Sequence, residues 1–326
     1  MSREKLGAFF NNKNLKIVGV FIAFLSLSYL ELILPYKCEK EIFYELRLPR
    51  YLEIMISGFS ISSAGFLLQY ITRNPLADPF IIGTSGGVMI SVILSKIFSI
   101  SSYSFFYLFM NSFFGVAATF FAFKIASISQ KVISNILLSG FAINSIVFSI
   151  IVFLIIFSKE NSLYFLNISF GSFSYLDYKI IFYSFLFLFA ALFFVRFLFK
   201  YIISISFDDE KSITLGIDVK KIRFLVFIIS SVLTSISVSL SGMIGFVGLM
   251  IPHITRYFFS EFSFEIIFFL NGFLAIIFLL IADVFSRYFF YPVEFPPGIF
   301  SSIFGSLFFI YLVIKSRKKV YEYYWN

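Results

Sequence analysis

The sequence predicts an all-α polytopic membrane protein, and three observations carry that prediction. Of 326 residues 60% are hydrophobic and only 13% charged, with 52 phenylalanines. Mean hydropathy is +0.95. Apolar runs of about twenty residues recur along the chain, and that length matches a bilayer core crossed in helical form. Inside hydrocarbon every backbone polar group needs an internal partner, and a barrel strand would need only half such a run. The same figures exclude a water-soluble domain.

About ten transmembrane helices are predicted, near 15–35, 51–71, 80–98, 104–124, 132–157, 178–200, 223–240, 244–259, 266–286 and 298–315. The first follows a basic stretch (Arg3, Lys5, Lys13, Lys16). Its apolar run Ile17–Leu34 is too long for a signal-peptide core and lacks a small-x-small cleavage site, so a retained helix is expected. Placing the N-terminus inside puts 18 of the 26 basic residues on the cytoplasmic side, which predicts an N-in, C-in orientation. The formal charge of +8 is explained by that bias and requires no nucleic acid. Spans two to five then begin outside and spans seven to ten inside, as a possible inverted repeat would require. The outer loop 158–177 is long enough to carry a short interfacial segment. Residues 1–326 read as a single transmembrane domain.

The wettest long stretch is 207–223, between spans six and seven. From Asp208 to Arg223 it holds eight charges in sixteen residues, together with Ile213, Leu215 and Ile217. On the predicted topology it is cytoplasmic.

Mid-membrane ionisable residues usually mark proton or ion relays. Glu31, Glu53 and Asp283 fall near outer helix ends, while His253 and Arg256 fall near an inner one, so no relay is predicted. Cys38 is the only cysteine, which rules out an internal disulfide and a thiolate metal cluster. His253 is the only histidine, and without a second ligand it reads as a structural hydrogen-bonding residue. No metal site is expected. The chain also lacks a Gly-Lys pair and hence a phosphate-binding loop of the G-x-x-x-x-G-K-[ST] type. If ATP drives this protein, another subunit binds it.

Several stretches carry local chemistry. In Arg73-Asn74-Pro75-Leu-Ala-Asp-Pro79 the two prolines predict a turn between spans two and three. Gly83-Thr-Ser-Gly-Gly87 then opens a helix with little side-chain bulk, suited to close packing. In Gly242-Met-Ile-Gly245-Phe-Val-Gly248 the glycines recur every three residues and predict one tightly packed helix face, with Pro252 as a kink and Arg256 at the inner end. Arg47, Arg50 and Arg287 lie on the predicted outer side, where the positive-inside rule would not put them. They can pair bidentately with carboxylates. The plainer alternative is local pairing, since Asp283 and Arg287 stand four apart on a helix and Glu45 or Glu53 could neutralise Arg47 and Arg50.

Taken in order, Arg47-Leu-Pro-Arg50, the 73–79 and 83–87 stretches, Ile136-Leu-Leu-Ser139-Gly140, Thr214-Leu215-Gly216-Ile217, the 242–256 stretch, Ala282-Asp283 with Arg287, and Glu294-Phe-Pro-Pro-Gly298 resemble the FecCD family. These are permeases of type II ABC importers for iron-siderophores, haem and vitamin B12. The resemblance covers residues 44 to 315. It implies that Arg47, Arg50 and Arg287 receive carboxylates of an extracytoplasmic substrate-binding protein, and that Thr214, Leu215, Gly216 and Ile217 seat in a cytoplasmic ABC ATPase. The plainer reading of that last segment is a solvated connector. Spans five and ten are expected beside the substrate path, with Ser134, Ser139 and Gly140 at its inner gate. The chain would bind no cofactor, ATP-Mg belonging to the ATPase. It would pair with a second permease copy, sit among membrane lipid in the prokaryotic cytoplasmic (inner) membrane, and perform no covalent chemistry. Rival readings are a permease for a free metal ion or oxyanion and a stand-alone secondary transporter.

Overall fold

Apolar runs of hydrocarbon length form helices, as the composition requires, and among the described residues there is no strand. The computed structural model describes residues 12–33, 40–128, 132–157, 167–173, 177–289, 291 and 293–316. In chain order the helices are α1 (Asn12–Ile33), α2 (Leu48–Thr72), α3 (Thr84–Ile97), α4 (Phe105–Ala126), α5 (Val132–Phe157), α6 (Tyr178–Phe207), α7 (Asp209–Thr214), α8 (Val219–Ser241), α9 (Val247–Phe259), α10 (Phe264–Tyr288) and α11 (Pro297–Ser316).

Each of the ten expected segments contains a helix, but only seven helices are long and apolar enough to cross a bilayer among the described residues. The exceptions are α3, α9 and the described apolar part of α11. With 14 and 13 residues, α3 and α9 rise only about 20 Å against a hydrocarbon core of about 30 Å. Irregular backbone at 73–83 and 242–246 precedes each of them, largely covered by protein. Non-helical chain at membrane depth is tolerated where neighbouring protein covers it. The order long helix, irregular link, short helix, long helix and a further helix thus occurs twice, in α2–α5 and in α8–α11. The leading helices of the two runs are antiparallel, since Arg223 at the start of α8 donates from Nε to the Ile71 carbonyl at the end of α2 (3.3 Å).

Helix α2 is the axis of the molecule, buried along most of its length and packed on α8, α10, α9 and α6. Phe66 meets Phe268 edge-on at 5.5 Å and Phe264 at 5.2 Å, a geometry aromatic quadrupoles favour. Gly65 lets α2 touch α9, because a Cβ there would fall inside the Gly248 carbonyl. This corrects the expected three-glycine helix face. Phe246 adopts φ +68° and helix α9 starts only at Val247, so Gly242 and Gly245 lie in the irregular entry and Gly248 alone makes the helix contact. Pro252 does lie inside α9.

A π turn, Phe43–Arg47, leads into α2, with the Leu48 N–H bonded five residues back to the Phe43 carbonyl. Pro49 cannot donate to Glu45, so one wider turn accommodates the missing bond. Helix α8 is rich in serine, and its hydroxyls turn back on their own helix. Ser231 bonds to the Phe227 carbonyl (2.9 Å), Ser235 to Ser231 (2.8 Å) and Ser239 to Ser235 (2.6 Å). Its hydroxyl links to other helices include Ser231 to Thr119 (2.8 Å), with Thr84 meeting both Thr119 (2.7 Å) and Ser231 (3.1 Å), and Asn111 to Ser239 (2.9 Å).

Candidate functional site

Two charged sites stand at opposite ends of α2. At its start, Arg50 donates from Nη2 and Nε to Asp283 Oδ1 (2.8 and 3.1 Å) and from Nη1 to Glu294 Oε2 (3.2 Å). Arg287 reaches Asp283 Oδ2 (2.9 Å) and also bonds Glu31 Oε1. Asp283 therefore bridges two guanidinium groups and is fully buried, while Glu294 remains 60% exposed. Arg47, placed by the π turn, donates to the Leu32 carbonyl (3.1 Å). Glu53 lies fully buried one turn further along α2, and neither of its oxygens has a hydrogen-bond partner among the described residues. The three arginines, with Glu294, Asn167 and Pro296, line a cavity of about 350 Å³. The local-pairing alternative is met for Arg287 with Asp283, whereas Arg50 pairs with the sequence-distant Asp283 and Glu294 rather than with Glu53.

At the far end of α2 the sequence RNPLADP forms the expected turn. Arg73 ends the helix with φ +49°. Asn74 Oδ1 accepts from Leu76 N (2.9 Å) and Asp78 Oδ1 from Phe80 N (2.7 Å), side-chain bonds that replace helix backbone bonds locally. Gln69 holds the turn from inside, donating to the Leu249 carbonyl (3.0 Å) and the Ala77 carbonyl (3.3 Å) and accepting from Arg256.

Beyond the turn, Gly83 (φ +92°) starts α3 and lies against Gly140 of α5. Asn144 of α5 accepts from Gly86 N (2.9 Å) and donates to the Phe80 carbonyl. Neither Gln69 nor Asn144 was singled out by sequence, although each is an amide within an apolar helix, the pattern of polar groups that join membrane helices.

The 207–223 segment splits into the one-and-a-half-turn helix α7 and the start of α8. Asp208 caps α7 by accepting from Glu210 N (2.9 Å), and Asp218 caps α8 by accepting from Lys221 N (3.0 Å). Both short polar caps satisfy otherwise orphaned N–H groups. Gly216 supplies the left-handed turn between them (φ +78°). Ile213 and Leu215 are 61% and 73% exposed, whereas Ile217 packs against the main core. Of the three apolar residues of this stretch, Ile213 and Leu215 are thus exposed, and Ile217, expected in the ATPase seat, is turned toward the bundle. The Thr214 hydroxyl donates to its own helix at Lys211 (2.8 Å). Asp209 Oδ1 accepts from both Arg73 and Arg223 (2.9 Å for Arg223), and Arg223 also lies 2.9 Å from Oδ2.

The remaining expected residues are structural in their surroundings. Ser139 donates to the Asn135 carbonyl (2.8 Å) and the Ala122 carbonyl (3.0 Å), and Gly140 packs on the backbone of 81–83. The side chain of Ser134 lies outside the described residues. Gly245 accepts from Ser301 (3.0 Å), and His253 is buried edge-on to Phe308 at 5.7 Å. Among the described residues no group of His, Cys, Asp and Glu could hold a metal ion.

Residues 6–315 match the model of the FecCD transport family. A "Probable iron chelatin transport system permease protein" of Helicobacter pylori is 32% identical over 277 residues, 84% of this chain and 82% of that protein. The Fe(3+)-citrate import system permease protein of Bacillus subtilis is 33% identical over 284 residues, 86% and 83% of the two chains. A solved metal-chelate type ABC transporter in an inward-facing conformation superposes with a TM-score of 0.81 at 23% identity, covering 91% of this chain and 98% of that one. Its likeness shows that the helices are arranged in the same fold. The chain belongs to the FecCD transport family.

Proposed function

We propose that this chain is the membrane-spanning permease of an ATP-driven importer that passes an iron-siderophore, haem or corrinoid into the cell. The observation that carries the reading is the pair of surfaces at the two ends of one buried helix. The start of α2 presents an arginine-lined cavity and its end adjoins an exposed apolar platform. An extracytoplasmic binding protein would offer carboxylates to Arg47, Arg50 and Arg287. A cytoplasmic ABC ATPase, which binds ATP-Mg, would cover Ile213, Leu215 and Gly216. Two copies of the chain would enclose the substrate path between them, within the prokaryotic cytoplasmic membrane and with both termini cytoplasmic. Nucleotide binding would shift the permease between inward- and outward-open states through differential affinity for the platform. The family and the names of its iron-transporting relatives support the cargo class.

The test separates the two surfaces. Arg47→Glu with Arg50→Glu should abolish binding-protein-dependent uptake with expression unchanged, and Leu215→Asp should strip the ATPase from the purified permease. Normal uptake and normal co-purification would remove the reading. One observation favours a second reading, a stand-alone secondary transporter, because an unpaired carboxylate such as Glu53 is the kind of group a proton-coupled carrier keeps. Uptake into liposomes driven by a pH gradient, with no ATPase present, would select it.

A further inference from the structure

Helix α7 is short, half-exposed and joined to the bundle by few side chains, so the bonds it does make decide what its movement can pull. Ser212 bonds Ser204 (2.9 Å) within the chain segment that leads into α7. The long-range bonds are those of Asp209. Its Oδ1 accepts from Arg73, the residue that ends α2, and also from Arg223 in α8 (2.9 Å), whose guanidinium lies equally near Oδ2 (2.9 Å). Arg223 in turn bonds the Ile71 carbonyl (3.3 Å), so both arginines converge on the last turn of α2.

The chain beyond Arg73 is closely tied. The turn 74–80 is cross-braced by Asn74 and Asp78, and Gln69 fixes it to α9. Its far end is clamped to α5, since Asn144 holds both the Phe80 carbonyl and Gly86 N, while Gly140 leaves no room between α5 and residues 81–83. A displacement delivered at Arg73 therefore has α5 as its next neighbour.

We propose that Asp209 is a positioning residue, the joint through which a partner seated on α7 moves the 73–83 turn and, through it, α5. This rests on the platform reading given above. Its chemistry suits a joint: one carboxylate shared by two guanidinium groups makes charge-assisted bonds that are strong and directional, and Asp209 is still 31% exposed, so the joint can re-form in a second arrangement.

The experiment uses the purified permease–ATPase complex in lipid nanodiscs and reads hydrogen exchange of the backbone amides of residues 76–83 with and without ATP. In the wild type, ATP is expected to change exchange there by about tenfold, within the range of coupling through packed networks. In Asp209→Asn that change should vanish while the ATPase still co-purifies and hydrolyses ATP, and Asp209→Glu should restore it. If Asp209→Asn folds poorly, Arg73→Gln cuts the same bond from the other side. An ATP response that survives both substitutions would overturn the proposal, as would a wild type with no response. Loss of ATPase binding in Asp209→Asn would also overturn it, by placing Asp209 in the seat itself. If Leu215→Asp leaves the ATPase bound, it is the platform reading that fails, and the proposal, which rests on it, is overturned with it.

Discussion

The two ends of α2 use the same device and put it in opposite surroundings. At each end one aspartate bridges two arginines: Asp283 holds Arg50 and Arg287, and Asp209 holds Arg73 and Arg223. Asp283 is fully buried, with Glu31 and Glu294 completing the coordination of its arginines. Asp209 and Arg73 are each about one-third exposed. A buried pair is costly to assemble and far costlier to break on one side, because the abandoned charge stays desolvated. A half-exposed pair contributes little to stability and can exchange partners with water at small cost. The first cluster therefore fixes geometry, and the second permits movement.

Removing one acid from each end separates the two most widely. Asp283→Asn should destabilise the folded permease by about 3–5 kcal/mol, as expected for a buried charge pair broken on one side. Asp209→Asn should cost about 1 kcal/mol or less. Thermal unfolding in detergent measures both, and equal losses would erase the distinction.

Asp78 sharpens the comparison, being a buried acid at the Asp209 end with no arginine within salt-bridge distance among the described residues. Asp78→Asn keeps the acceptor for Phe80 N and removes a buried carboxyl that has no ion-pair partner among the described residues, so thermal stability should be unchanged or raised where Asp283→Asn lowers it. A loss equal to that for Asp283→Asn would contradict the comparison.

The smallest effect is expected at the exposed rim of the buried cluster. Glu294→Gln removes a carboxylate that is 60% exposed and should shift stability by no more than about 0.5 kcal/mol. A loss as large as that for Asp283 would show that the rim is as desolvated as the centre.

Much of this was legible in sequence. Apolar run length gave the helical membrane fold, the prolines of 73–79 gave the turn, and misplaced arginines drew attention to 47, 50 and 287. The pairing was less legible. Arg50 and Asp283 are separated by 233 residues, and no local period reports which helix ends meet. Helix length misled at α9, because a glycine spacing of three reads as one helix face until a residue such as Phe246 takes a left-handed conformation. Ile217 misled for a similar reason: charge density around 208–223 suggested a uniformly wet segment, whereas the turn at Gly216 returns the chain to the core. Gln69 and Asn144 were visible as amides in apolar helices, but most of their partners are backbone carbonyls and N–H groups, which sequence does not distinguish.

The serines of α8 have a mechanical consequence. A helix with that many hydroxyls would ordinarily be stitched to its neighbours, and any rotation would have to break each stitch in a solvent that offers no replacement. Because Ser235, like Thr234 and Ser241, bonds to its own helix, those hydroxyls travel with the helix and the surface left to the neighbours is mostly methylene and methyl. Among the described residues the side-chain bonds that α8 makes to other elements include three clasps, Thr84–Thr119–Ser231, Asn111–Ser239 and the Arg223 bonds to Ile71 and Asp209. A rotation of α8 would have to remake those three clasps rather than one bond per hydroxyl.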